Sequence, residues 1–375
     1  MASAGPVPYT QLSGDIAVGT QQTTSVAMTQ AMDVMLDASI GGRGDATVPA
    51  PGPSQFANES DPANAYASFN GKRSRAERDA YGMITKATPR PTTFDQRWSV
   101  WAAGFGGSQT TDGNAALGSN SVTSRVFGTA VGADYFVSPR TMAGFSLAGG
   151  GTNFNIANGL GSGRSDLFQL GGFFRHSVGP AYLTGALAYG WQDVTTTRTL
   201  SISGIDQLQA KFNTNAISGR LEGGYRYAMP SAGVTPYVAG QFTYYDLPAY
   251  AEQVLSGSNN FALNYAAKDV TTSRSELGVR TDKSYALTDN VLTLRSRLAW
   301  AHNFNTDQSA SPTFQTLPGA SFVVNGAAQA PDAALTTASA ELKWRSGLSL
   351  AATFEGEFSN VTRSYAGKGV ARYVW

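Results

Sequence analysis

The chain has 375 residues, 14% of them charged and 11% aromatic, with 42 Gly, two His and no Cys. Without thiolates, a disulfide scaffold, Cys-bearing zinc sites and iron–sulfur clusters are excluded. The net charge of +1 gives no bulk electrostatic reason to bind nucleic acid, and no run approaches the ~18 apolar residues of a membrane helix. A membrane β-barrel remains open, because lipid-facing and lumen-facing residues alternate and their hydropathies average out. The mean hydropathy of −0.19 fits that averaging.

The first residues, Met1-Ala-Ser-Ala-Gly-Pro, show neither the basic start nor the apolar stretch of a secretory signal. An outer-membrane protein needs one, so the sequence reads as a fragment or a truncated gene product. Residues 1–40 hold a turn-like start and a helical stretch, Thr24 to Ala38, whose Met28, Met32 and Met35 share one face. Residues 41–61 are a linker dense in Gly and Pro, which hold neither helix nor ladder. Residues 62–91 predict a helix. Asp61-Pro62 supplies a cap and a first helical Pro, Ser74 with Glu77 a capping box, and Pro89 and Pro91 a stop.

From residue 92 onward the period changes to two. Twelve alternating segments run 95–108, 122–138, 140–155, 163–178, 180–195, 212–229, 233–247, 268–286, 290–305, 333–345, 347–359 and 362–375. Each reaches the ~9–11 residues of a tilted membrane strand. In 292–300, Leu292, Leu294, Leu298 and Trp300 oppose Thr293, Arg295 and Arg297. A one-residue slip would put Arg among the apolar side chains, so the register is well specified. Short connections follow the even segments and mostly longer ones the odd segments, which collects the short turns at one end of the sheet, as in outer-membrane barrels.

Alternation alone also suits a soluble sandwich or lipocalin-like barrel. Strand length, the charges gathered on one face and the aromatics near segment ends favour lipid. Those aromatics include Trp98, Tyr135, Trp191, Tyr225, Trp300, Trp344 and Tyr373. The expected fold is all-β: a twelve-stranded antiparallel transmembrane β-barrel with an N-terminal α-helix in its pore. Segment 62–88 is the expected occupant, since ~1.5 Å per residue gives roughly 40 Å against a layer of ~25–30 Å.

The polar face then becomes a wet lumen. It carries Arg220, Glu222, Arg226, Arg274, Glu276, Arg280, Arg295, Arg297, Glu341, Lys343, Glu355, Glu357, Lys368 and Arg372. Such walls hold a polar chain without giving it an apolar place to stick, and could pair with Lys72, Arg73, Arg75, Glu77, Arg78 and Asp79 of the expected pore helix. His176 and His302 are the two imidazoles, and no Ser–His–acid spacing assembles around either. Asp112, Asp246 and Asp307 lie at the external rim but are scattered. Asn58, Asn64 and Asn70 are isolated, Asn259-Asn260 falls in a loop, and Arg43-Gly44-Asp45 is a tripeptide of the kind that recurs by chance. No catalytic, metal or cofactor site is expected.

The last strand, Tyr365 to Trp375, resembles the terminal signal of outer-membrane barrels, with Tyr365, Ala371, Tyr373 and Trp375 on one parity. Arg97-Trp-Ser-Val-Trp-Ala-Ala-Gly-Phe-Gly-Gly107 resembles the first strand of autotransporter translocator domains. Leu12–Gly19 and Met32–Asp37 are similar to that family's passenger-to-barrel junction, and Pro318–Gly326 resembles its penultimate external loop. The resemblance covers about residues 9–375 and implies type V secretion. It implies a translocator in the outer membrane of a Gram-negative bacterium, exporting and anchoring an N-terminal passenger that is largely absent here. Its implied partners are outer-membrane lipid, the barrel assembly machinery, periplasmic chaperones and the passenger itself. The alternatives are an outer-membrane barrel lipase or protease, and a passive porin or adhesin.

Overall fold

The computed structural model describes residues 11–40, 97–202, 204–229 and 232–375. Its frame is one helix, α1 (Ile16–Ile40), and twelve long strands. These are β1 (Trp98–Thr111), β2 (Val122–Ser138), β3 (Thr141–Ile156), β4 (Gly161–Val178), β5 (Ala181–Leu200) and β6 (Asp206–Tyr225). They continue as β7 (Gly233–Leu247), β8 (Lys268–Ala286), β9 (Asn290–Asn303), β10 (Asp332–Trp344), β11 (Leu348–Phe358) and β12 (Thr362–Val374). Each strand pairs antiparallel with the next, and β1 pairs with β12 through Gly104 opposite Gly369, so the sheet closes into a barrel without an edge. The strands follow the period-two segments closely. The largest departure is the β5–β6 hairpin, whose two strands of 20 residues each carry the ladder past the expected ends.

The turn chemistry explains the shared end. Pro139-Arg140 joins β2 to β3 and Gly179-Pro180 joins β4 to β5. At the β10–β11 turn, Gly347 sits at φ 91°, a left-handed conformation that favours Gly. This is the periplasmic end. Trp98 and Tyr135 pack there with ring centroids 4.7 Å apart, and Tyr373 stacks on Trp375 at 5.9 Å. Trp191 and Trp300 lie nearer the external end, also facing out. Between these belts the outward face is apolar, with Leu187, Leu221, Val238, Leu277 and Leu298 exposed. Lipid accounts for such a continuous apolar exterior.

The long connections at the external end fold into a cap. Tyr250–Ala251, Leu263–Tyr265 and Pro312–Phe314 form a three-stranded sheet, and Ser309–Ala310 pairs with Val324–Asn325. The start of α1 is held beneath it. Ile16, Ala17 and Val18 pack with Val122, Phe154 and Ile156 of the barrel and with Leu263, Tyr265, Ala310 and Ala327 of the cap. Gly326 approaches so closely that a Cβ there would collide with Val18. The helix therefore runs from the external cap down the lumen to the periplasmic half.

Candidate functional site: the helix-filled lumen

The lumen holds residues 16–40, within the stretch read from sequence as the junction. The expected pore segment 62–91 lies outside the described residues, as do Arg43-Gly44-Asp45, Asn58, Asn64 and Asn70. The Met face of α1 is confirmed. Met28, Met32 and Met35 are fully buried against Phe173, Ala186, Ala188 and Phe212. Ala27 and Val34 meet Trp101, Phe105, Val126 and Ala130. The inner wall is thus divided. Its β1–β6 arc is largely apolar and grips the helix, whereas the expected charges stand on β6 and β8–β12.

Polar side chains of α1 finish the seal. Gln22 Nε2 donates to Thr111 Oγ1 at 2.9 Å, Thr23 and Ser124 share a hydrogen bond of 2.8 Å, and Gln241 Nε2 donates to Thr29 Oγ1 at 3.2 Å. From Ile16 to Met32 the helix has no charged residue; its two carboxylates, Asp33 and Asp37, come one turn apart near its end. Both meet Lys368. This ammonium is wholly buried, bridges Asp37 and Glu355 (2.8 Å to Glu355), and donates to the Asp33 carbonyl at 3.4 Å. The last turn of α1 contains no basic residue. The barrel therefore supplies the cation that complements the negative end of the helix dipole.

The expected lumen residues all take the inward parity, with Lys343 exposed at the periplasmic rim. Seven of the fourteen join one network, and five of the others stand in separate ion pairs. Arg220 donates to both Glu276 oxygens at 2.8 Å and to Glu222 at 3.0 Å, and Glu222 also pairs with Arg280. Arg274 reaches Glu357 at 3.1 Å, and Arg295 reaches Glu341 at 2.7 Å. Arg226 pairs with Asp282 at 2.6 Å, a partner the sequence reading did not name. Buried charges of this kind need partners because they have left bulk water.

At the external mouth the cap carries a pair that sequence reasoning missed. Arg198 donates to both Glu252 oxygens at 3.0 and 2.5 Å, and to the carbonyls of Gln11 and Phe261. Arg198 lies in a Thr-rich stretch and Glu252 in a loop, so no local pattern announces either. Asp15 leads into α1 and accepts from Asn120 Nδ2 at 2.5 Å. Burial pushes its carboxyl above the usual range, against the opposing hydrogen bonds from Ser13 and Asn120. Tyr265 stacks on Tyr250, which stacks on Phe212, at 4.6 and 4.0 Å.

The remaining candidates stay apart. His176 Nδ1 hydrogen-bonds Thr141 Oγ1 at 2.8 Å near the periplasmic turns. His302 faces outward at the external rim, its Nδ1 2.9 Å from Asp332 Oδ1. Asp112 pairs with Arg363 at 2.9 Å, far along the chain from Asp246 and Asp307. Tyr365, Tyr373 and Trp375, with Ala371, share the outward face of the last strand and its end.

Comparison with known proteins agrees with this geometry. The family profile described as Autotransporter beta-domain matches residues 100–355. An extracellular serine protease of Serratia marcescens is 22% identical over 197 residues, 52% of this chain, and the match covers 18% of that protein. The translocator domain of the autotransporter NalP from Neisseria meningitidis superposes with a TM-score of 0.59 at 15% identity, covering 80% of this chain and 96% of that one. The β domain of the Bordetella autotransporter BrkA gives 0.55 at 18% identity, covering 74% and 99%. These likenesses share the closed barrel, and the autotransporter family match, with the apolar belt facing lipid, places it in the outer membrane of a Gram-negative bacterium. The chain belongs to the autotransporter β-domain family.

Proposed function

We propose that this barrel is the route and the anchor for an N-terminal passenger, with α1 as the tether left in the lumen after transit. The observation that carries this reading is the course of α1. Its start is clasped by the external cap, and its end is held to the barrel wall by Lys368. A passenger joined ahead of it would stand at the external face. The outward aromatic parity of the last strand supports recognition by the barrel assembly machinery, with periplasmic chaperones delivering the unfolded chain. The barrel itself supplies no catalysis. A signal peptide and a folded reporter fused ahead of residue 1 are expected to place the reporter on the cell surface, read by protease shaving of intact cells. A reporter retained in the periplasm beside a folded barrel would overturn the reading.

One observation favours an outer-wall hydrolase instead. Ser275, His302 and Asp332 are neighbours in register on β8, β9 and β10. However, the same Asp332 oxygen accepts the Trp300 indole N–H at 3.0 Å. Strands paired on both sides also commit their N–H groups to the ladder, leaving no donor pair for an oxyanion. Hydrolysis of a short-chain acyl ester, abolished by Ser275→Ala, would support that reading.

A further inference from the structure

The apolar arc holds α1 to one side, and two water-accessible chambers remain between the helix and the charged wall. The periplasmic chamber, about 360 Å³, lies above the Pro139-Arg140 and Gly179-Pro180 turns. Seven guanidiniums and three carboxylates line it, the latter being Asp37, Asp282 and Glu341. The outer chamber, about 100 Å³, reverses the balance, with Asp33, Glu276, Glu355 and Glu357 against Arg274 and Arg297. Arg297 lines both chambers.

Pairing does not erase this asymmetry, because the two members of each pair are unequally placed. In the periplasmic chamber the guanidinium faces the water. Arg280 is 18% exposed against 4% for Glu222, and Arg295 is 21% against 5% for Glu341. In the outer chamber the exposures are mixed. Glu357 is 19% exposed against 15% for Arg274, and Glu355 is 11% against 0% for Lys368. Glu276, however, is 5% against 15% for Arg274 and 14% for Arg297, so the acidic balance there rests on the number of carboxylates. Asp37, 33% exposed at the helix end, is the exception on the periplasmic side.

We propose that the helix-filled barrel conducts small ions along this side and rectifies the current. Anions enter from the basic periplasmic chamber and cations from the acidic outer one. When the external side is held positive, both move toward Arg297 and accumulate there, and conductance is high. With the opposite voltage both are drawn away from the junction, and the path is depleted of carriers. The effect requires a screening length comparable to the chambers, about 10 Å at ~0.1 M salt but about 3 Å at ~1 M.

The test is single-channel recording of the full chain in planar bilayers. Because the chain lacks Cys, Ala116→Cys on the exposed external turn reports orientation when an impermeant maleimide is added to one compartment. At equal and opposite voltages in ~0.1 M KCl, the current with the external side positive is expected to be larger by about twofold or more, approaching equality at ~1 M. Arg140→Gln with Arg226→Gln, in chains that keep heat-modifiable migration, is expected to halve the ratio at the lower salt. If that variant fails to fold, the salt series on the unaltered chain decides. A symmetric current, a larger current with the periplasmic side positive, or no current through the folded chain would overturn the proposal. Export is not needed for this effect, so a chain that rectifies yet carries no reporter separates the two readings.

Discussion

Lys368 shows how one side chain can decide whether the helix stays in place. It is buried without exposure between Glu355 of the wall and Asp37 of α1. Lys368→Met would leave those carboxylates facing each other with their cation gone. Breaking a buried pair from one side costs about 3 kcal/mol or more, because the remaining charge keeps its desolvation penalty. Hydrogen exchange in residues 30–37 is expected to accelerate in this variant. Adding Asp37→Asn and Glu355→Gln should restore most of the protection, since no uncompensated charge then remains. Unchanged exchange in Lys368→Met would mean that the apolar face alone holds the helix.

α1 and the external cap form a single packed unit. The helix start is apolar and its middle is uncharged, which suits a segment covered all round by protein rather than one with a wet face. The cap closes tightly over it where Gly326 brings its backbone against Val18. Gly326→Val is therefore expected to lift the cap, with an overpacking cost of about 1–3 kcal/mol. The readout is faster hydrogen exchange across residues 16–24, while the barrel strands keep their protection. Loss of protection in β1–β12 as well would show that cap and barrel unfold together.

For the whole molecule, the governing choice is which face of the sheet meets lipid. Leu187 lies on the outward face of β5 and is 62% exposed. Leu187→Arg is expected to lower folding stability by about 2–4 kcal/mol in urea titrations into vesicles, the cost of a guanidinium near the bilayer midplane. An inward Arg such as Arg220 meets no such penalty, because Glu222 and Glu276 bind it. If Leu187→Arg had no effect, the outward face would not be the lipid face.

Sequence alone determined the closed sheet and its orientation. Strict alternation in segments such as 292–300 permits one register, and the order of short and long connections assigns the two ends. The inward parity of Arg220, Glu276, Arg297 and Lys368 followed from the same period, as did the shared face of Met28, Met32 and Met35. The contents of the pore did not follow. Residues 16–40 sit in the lumen because a half-apolar, half-charged inner wall matches their Met face and the Asp37 carboxylate. That match depends on which strands become neighbours around a closed ring. The Arg198–Glu252 clamp and the two oppositely lined chambers depend on it too. Only the tertiary structure brings those strands around one axis, and no window along the chain contains that proximity.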